Sequence, residues 1–355
     1  MEPAPCAGSR SSSLLAEQAL AEGRWVKLIC GASNQDLGAI EDLCAIYALA
    51  GVHCIDVAAD RAVVAAARRG MAWAEVRGAQ LPWLMVSLSD GDDPHFRKAR
   101  FDPSQCPPEC PRPCQRACPA LAIGATGGVL EERCYGCGRC LPACPLGLIH
   151  EQQHLLTAAE VPPLLTELQP DALEIHTQPG RLEAFAERLA QVQASGVALR
   201  RLAVSCGLER GAIAKAAGDS NDQLSARQLA AELWQRFALV RGAGFRPLWQ
   251  LDGRPMSGDV GAGTARAAVG LLAALRPWAP PGPLQLAGGT NASTLQRLPA
   301  NSGAAGVAFG GMARSLLQPL LMQADSNGAP LREQPLLWQE ALTLAQELIT
   351  PWQRR

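Results

Sequence analysis

Outside residues 95–150, short apolar runs alternate with longer stretches whose apolar residues recur at helical spacing. The runs are Val26–Cys30, Cys54–Val57, Trp83–Leu88, Leu173–His176, Leu202–Ser205, Leu248–Leu251, Leu284–Ala287 and Gly306–Phe309. Each has the length and composition of a strand, and helical stretches follow, among them one ending near Leu49 and others over 61–69 and 157–168. This alternation predicts a parallel sheet with helical crossovers. Eight such units is the number that closes a TIM-like (β/α)8 barrel. Two doubly wound α/β halves, hinged at the interruption after the third run, are the alternative. The chain divides into a loose N-terminal arm over 1–22, a discontinuous barrel-like α/β domain over 23–94 and 151–340, an insertion over 95–150, and a C-terminal helix or tail over 341–355.

Composition narrows the functional classes. Of 355 residues, 48% are hydrophobic and 18% charged, which suffices for a large core. A net charge of −1 gives no sign of a nucleic-acid groove or of attraction to an anionic membrane. No apolar run approaches the roughly 20 residues that span a bilayer. The N-terminus lacks a basic start followed by an apolar core, so it does not read as a secretory signal. Thirteen cysteines would suit a secreted disulfide scaffold, but eight of them fall between Cys106 and Cys144. Clustering of that kind in a large chain points to metal binding and to a cytoplasmic location.

The second half of the cluster, Cys134, Cys137, Cys140 and Cys144 followed by Pro145, has the bacterial ferredoxin spacing C-x2-C-x2-C-x3-C-P. Three thiolates on a tight loop cap three irons of one cubane, and Gly136 and Gly138 leave room for backbone beside the sulfides. The fourth cysteine points away and ligates the other cluster. The first half, Cys106, Cys110, Cys114 and Cys118 followed by Pro119, keeps the terminal Cys-Pro but has three residues in every gap. By ferredoxin logic Cys134, Cys137, Cys140 and Cys118 hold one 4Fe–4S cluster, and Cys106, Cys110, Cys114 and Cys144 the other. The stretched first loop leaves a 3Fe–4S centre or a labile iron open for the second set. Zinc or free thiols are the bland alternative for the whole segment. Ala120–Ile123 and Gly128–Leu130 read as a short hairpin between the halves. Arg112, Arg116, Arg133 and Arg139, opposed by Glu109, Glu131 and Glu132, read as a solvated face.

The last two units carry glycine pairs. Gly288-Gly289-Thr290-Asn291 follows the seventh run, and Gly310-Gly311 follows the eighth. In barrels the loops after these strands often bind phosphate through backbone amides. A flavin or other phosphate-bearing ligand would suit such a rim, with Thr290 and Asn291 adding donors or, with Ser293, capping the next helix. Tight strand-to-helix turns explain the glycines equally well. Asp252, Arg254, Gly258 and Asp259 add polar groups to the same rim. Lys27, Asp56, Glu174 and His176 are polar residues within strands, and ordinary pairing against helices is preferred over convergence in the barrel mouth. Cys6, Cys30, Cys44, Cys54 and Cys206 read as buried small hydrophobes. His53, His95, His150 and His154 have no partner at metal-site spacing.

Lys27 to Ser33, Cys54 to Asp60, the eight-cysteine segment and the Gly288–Asn291 rim together resemble the LdpA family of cyanobacterial light-dependent period proteins, from about residue 24 to the C-terminal region. The resemblance implies an iron–sulfur protein that conveys cellular redox state to the circadian clock, with the clock input kinase and core clock proteins as partners. On that expectation the chain is a redox sensor rather than an enzyme, and the quinone pool supplies its oxidants. An iron–sulfur oxidoreductase with a flavin or similar ligand at the rim is the competing expectation. A simple electron carrier would need little beyond the cluster segment.

Overall fold

The computed structural model describes residues 7–124, 127–134, 136–153, 155–209, 224–254 and 261–355. Its strands, in chain order, are β1 (Trp25–Gly31), β2 (Cys54–Ala58), β3 (Trp83–Ser89), β4 (Arg97–Arg100), β5 (His150–Gln153), β6 (Ala172–His176), β7 (Arg201–Gly207), β8 (Pro247–Asp252), β9 (Leu284–Ala287) and β10 (Ala304–Phe309). All but β4 and β5 form a closed parallel barrel in the order β1-β10-β9-β8-β7-β6-β3-β2. The eight apolar runs of the sequence are its eight strands, and the doubly wound alternative is excluded by closure of β10 onto β1.

The helices are α1 (Ala7–Glu22), α2 (Leu37–Ala50), α3 (Arg61–Glu75), α4 (Pro113–Ala117), α5 (Cys140–Ala143), α6 (Val161–Leu168), α7 (Leu182–Ala194), α8 (Ala226–Gly242), α9 (Ala265–Leu275), α10 (Thr294–Arg297), α11 (Gly311–Ser326) and α12 (Pro335–Gln353). Asp36 and Asp60 cap α2 and α3: Asp36 accepts from Ala39 N, and Asp60 from Ala62 N and Val63 N. No described helix is long and apolar enough to cross a membrane.

Two ends of the chain differ from expectation. Residues 7–22 form α1 rather than a loose arm. Ala16, Ala19 and Leu20 recur at helical spacing and are buried. Glu17 pairs with Arg201 at 2.6 Å and Arg246 at 3.0 Å, which fixes α1 beneath the barrel. The C-terminal helix begins at Pro335, not at 341, and packs into the barrel's outer layer through Ala341, Ala345, Leu348, Ile349 and Trp352.

Alternate strand residues face the barrel interior. At the N-terminal end these are Trp25, Cys54, Met85, Ala172, Ala203 and Leu248, in one apolar cluster with Ala16 and Leu20 of α1. Two residues further along the strands the positions are Lys27, Asp56, Ser87, Glu174, Ser205 and Gln250. The interior therefore turns polar toward the C-terminal end, where barrels carry their functional loops. The cysteine segment leaves from that end, between β3 and α6, on the antiparallel pair β4–β5.

Candidate metal centre and barrel mouth

The cysteine segment is a small body with its own apolar centre. Ala99, Phe101, Ala122, Ile123 and Ile149 surround the buried Cys114, Cys134 and Cys140. The two halves are built alike. Cys114 lies in α4 and Cys118 ends it, while Cys140 begins α5 and Cys144 ends it. A single bridge between Ile123 and Val129 marks the expected hairpin. Burial, then Cys137, Cys118 and Cys134, push the Cys140 thiol up to about 12. Burial, with Cys144 and Cys106 among its neighbours, also pushes Cys114 up. Thiols crowded in this way ionise when a cation joins them.

The segment fits an iron–sulfur cluster in that backbone amides already point at sulfur: Ala99 N donates to Cys134 Sγ at 3.3 Å and Ala122 N to Cys118 Sγ at 3.2 Å. The loop between Cys134 and Cys137 is held against the stem by Gly136, whose φ is 73°. A Cβ there would lie 2.0 Å from Arg97 O and 2.7 Å from Pro94 O, so only glycine fits.

The segment is fastened to the barrel. Arg133 pairs with Asp325 at 3.0 Å and Asp36 at 3.6 Å, so this arginine is a docking residue, not part of a solvated face. Lys98 donates to Gln35 and to Glu131 O, each at 2.6 Å, and Gln35 N donates to Glu132 O at 3.0 Å. Beside this junction lies a cavity of about 270 Å3, lined by Ser33, Asp60, Ser87 and Ser89 of the barrel, Lys98 of the stem, and Arg188.

The barrel mouth holds a second constellation, which the sequence pattern disfavoured. Lys27, Asp56 and Glu174 turn inward and meet. Lys27 Nζ donates to Asp56 Oδ2 at 3.1 Å and to Glu174 Oε2, and sits 3.5 Å from Met85 Sδ. Ser87 Oγ donates to Asp56 Oδ1 at 2.7 Å. Gln250 Nε2 donates to Glu174 Oε1 at 2.8 Å, Gln285 Nε2 to Gln250 Oε1 at 2.7 Å, and Trp25 Nε1 to Gln285 Oε1 at 2.6 Å. His176 Nε2 lies 2.9 Å from Glu174 Oε1. Burial opposes a charged Lys27, but Asp56 and Glu174 outweigh it and hold the ammonium protonated. Burial also opposes a charged Glu174, yet Lys27 and His176 hold it down to about 2. Asp56 is pushed up, by burial first. Burial would lower His176, but Glu174, then Asp93 and Asp252, raise it to about 9.

His95, which has no metal-site partner by sequence spacing, faces this group. Its Nδ1 lies 2.7 Å from Asp93 Oδ1, its ring is 4.8 Å from that of His176, and Phe96 stacks edge-on against His176 at 5.3 Å. His53 is instead at the opposite end of the barrel, accepting from Val26 N at 3.1 Å, and His150 is exposed on β5.

The glycine loops after β9 and β10 share one rim, because those strands are neighbours. Their side-chain donors are engaged within the protein. Thr290 donates to Ala308 O, and Asn291 Nδ2 donates to Gly261 O at 2.8 Å and Thr264 Oγ1 at 2.9 Å. Gly288 has φ 62°, and a Cβ would lie 2.7 Å from Arg254 O, so close packing already requires it. Gly310 and Gly311 open α11. Cys30, Cys44, Cys54 and Cys206 are buried, as expected. Cys6, His154, Gly258 and Asp259 lie outside the described residues.

Fold and site together define a TIM-type barrel protein with an iron–sulfur insertion after its third strand. Residues 106–155 match the LdpA Fe-S cluster-binding domain, and residues 164–351 match the Light dependent period A C-terminal domain. A curated relative, Light dependent period A of Synechococcus elongatus, is 46% identical over 343 residues, covering 94% of this chain and 92% of that protein. The chain belongs to the light dependent period A family. Solved structures matched include a (S)-3-O-geranylgeranylglyceryl phosphate synthase from Thermoplasma acidophilum, at 14% identity and TM-score 0.39 over 95% of this chain and 98% of that one. A fructose-1,6-biphosphate aldolase described as putative, from Coccidioides immitis, matches at 11% identity and TM-score 0.41, over 97% and 94%.

Proposed function

We propose that this chain is an iron–sulfur redox sensor that relays the photosynthetic redox state of the cell to the circadian clock input pathway. The observation that carries this reading is the fastening of the cysteine segment to the barrel through Arg133, Lys98 and Gln35. A change of charge or occupancy at the thiols is then felt by barrel loops. Two 4Fe–4S clusters are the cofactors, with Cys134, Cys137, Cys140 and Cys118 on one and Cys106, Cys110, Cys114 and Cys144 on the other. The neighbours of Cys140 and Cys114 support that sorting. The proposed partners are the clock input kinase and core clock proteins, and the proposed oxidants belong to the quinone pool.

A sensor must bind its partner differently in its two redox states. Anaerobic protein with counted iron and sulfide should therefore be titrated against the input kinase after poising oxidised and reduced. A several-fold difference in affinity is expected, and equal affinity would reject the sensor.

A second reading, catalysis at the barrel mouth, is favoured by the convergence of Lys27, Glu174 and His176. The protonated Lys27 would serve there as an electrostatic anchor or proton donor, not as an amine nucleophile. A flavin retained after removal of the clusters would favour this reading over the sensor.

A further inference from the structure

We propose that Asp93, His95 and His176 bind one divalent transition-metal ion, of the zinc or iron(II) class, at the mouth of the barrel. A ligand atom from each lies within 4.8 Å of the others. Asp93 and His176 are 5% and 7% exposed, so these donors are buried, not members of a surface cluster. They come from two separate segments. Asp93 and His95 stand on the loop between β3 and β4, and His176 ends β6. An ion there would tie the root of the cysteine segment to the barrel wall.

The donor set is the two-histidine, one-carboxylate type that suits zinc or iron(II) and leaves coordination positions open for water or a ligand. The surroundings orient it. His176 Nε2, in contact with Glu174 Oε1 at 2.9 Å, leaves Nδ1 for the ion, the usual role of a carboxylate behind a metal-bound histidine. Asp93 Oδ1 accepts from His95 N at 2.8 Å, which holds carboxylate and imidazole on one short turn.

The test uses the full chain with its clusters reconstituted, titrated anaerobically with cobalt(II). One equivalent should bind beyond the cluster iron, with a visible ligand-field spectrum, no thiolate charge-transfer band, and displacement by zinc. His95→Ala and Asp93→Asn should each weaken binding by about tenfold or more while cluster spectra stay unchanged. If His95→Ala fails to fold, Asp93→Asn, which keeps the turn's acceptor, decides the question. Absence of saturable binding, a thiolate-type spectrum alone, or equal affinity in wild type and the folded variants would overturn the site. The cobalt readout is separate from iron and sulfide counts, so failure here leaves the sensor reading untouched.

Discussion

Lys27 on β1 and Glu174 on β6 form an ion pair across the barrel interior, and neither side chain has exposed surface. Asp56 shares the same ammonium at 3.1 Å. Removing Lys27 leaves two carboxylates facing each other in a medium that solvates them poorly. Lys27→Met should therefore destabilise the fold by about 3–5 kcal/mol, the usual cost of orphaning a buried charge. Denaturant unfolding measures it. The triple change Lys27→Met, Asp56→Asn, Glu174→Gln should recover much of the loss, and failure to do so would mean that packing, not charge, sets the cost.

Cross-ligation between the halves makes a spectroscopic prediction. Cys118→Ala should damage the cluster assigned to Cys134, Cys137 and Cys140, and Cys144→Ala the one assigned to Cys106, Cys110 and Cys114. Spin-resonance spectra of anaerobic protein distinguish the two. Damage confined to the mutated half would reverse the assignment.

Gly136 and Gly138 have nearly equal φ, 73° and 74°, but different surroundings. A Cβ at Gly136 meets Arg97 O at 2.0 Å, whereas at Gly138 the nearest atom is Glu151 Oε1 at 3.6 Å. Gly136→Ala should lower bound iron substantially while the circular dichroism of the barrel is retained. Gly138→Ala carries only the backbone strain of about 1–2 kcal/mol and should keep most of its iron. Equal iron content in the two variants would contradict the docking of this loop on β4.

His53 supplies a pH prediction distant from every proposed metal ligand. Burial, then the charge of Arg24, lowers it from 6.5 to about 4. The folded protein thus keeps the ring neutral where the unfolded chain is protonated. Stability should be complete above about pH 6.5 and fall as pH drops toward 4, by up to about 3 kcal/mol. His53→Gln, which keeps an acceptor for Val26 N, should flatten that limb of the stability profile. An unchanged slope would assign the acid sensitivity to other groups.

The sequence determined the barrel's strands, the place of the insertion and the cysteine ligand candidates. Those features are written locally: Val26–Cys30 and Leu202–Ser205 are short, mostly apolar runs because a barrel strand is buried on both faces, and Cys134 to Cys144 carries its spacing in one short run. The same burial hides which residues point inward. In a strand flanked by core on either side, nothing in the pattern tells whether Lys27 or Asp56 faces the interior or a helix. Closure of the barrel decided that, bringing Glu174 to Lys27 from 147 positions away and setting His95 against His176. The N-terminal helix was hidden for a related reason. Ala16, Ala19 and Leu20 make a weak stripe whose partner, the floor of the barrel, exists only once the strands have closed.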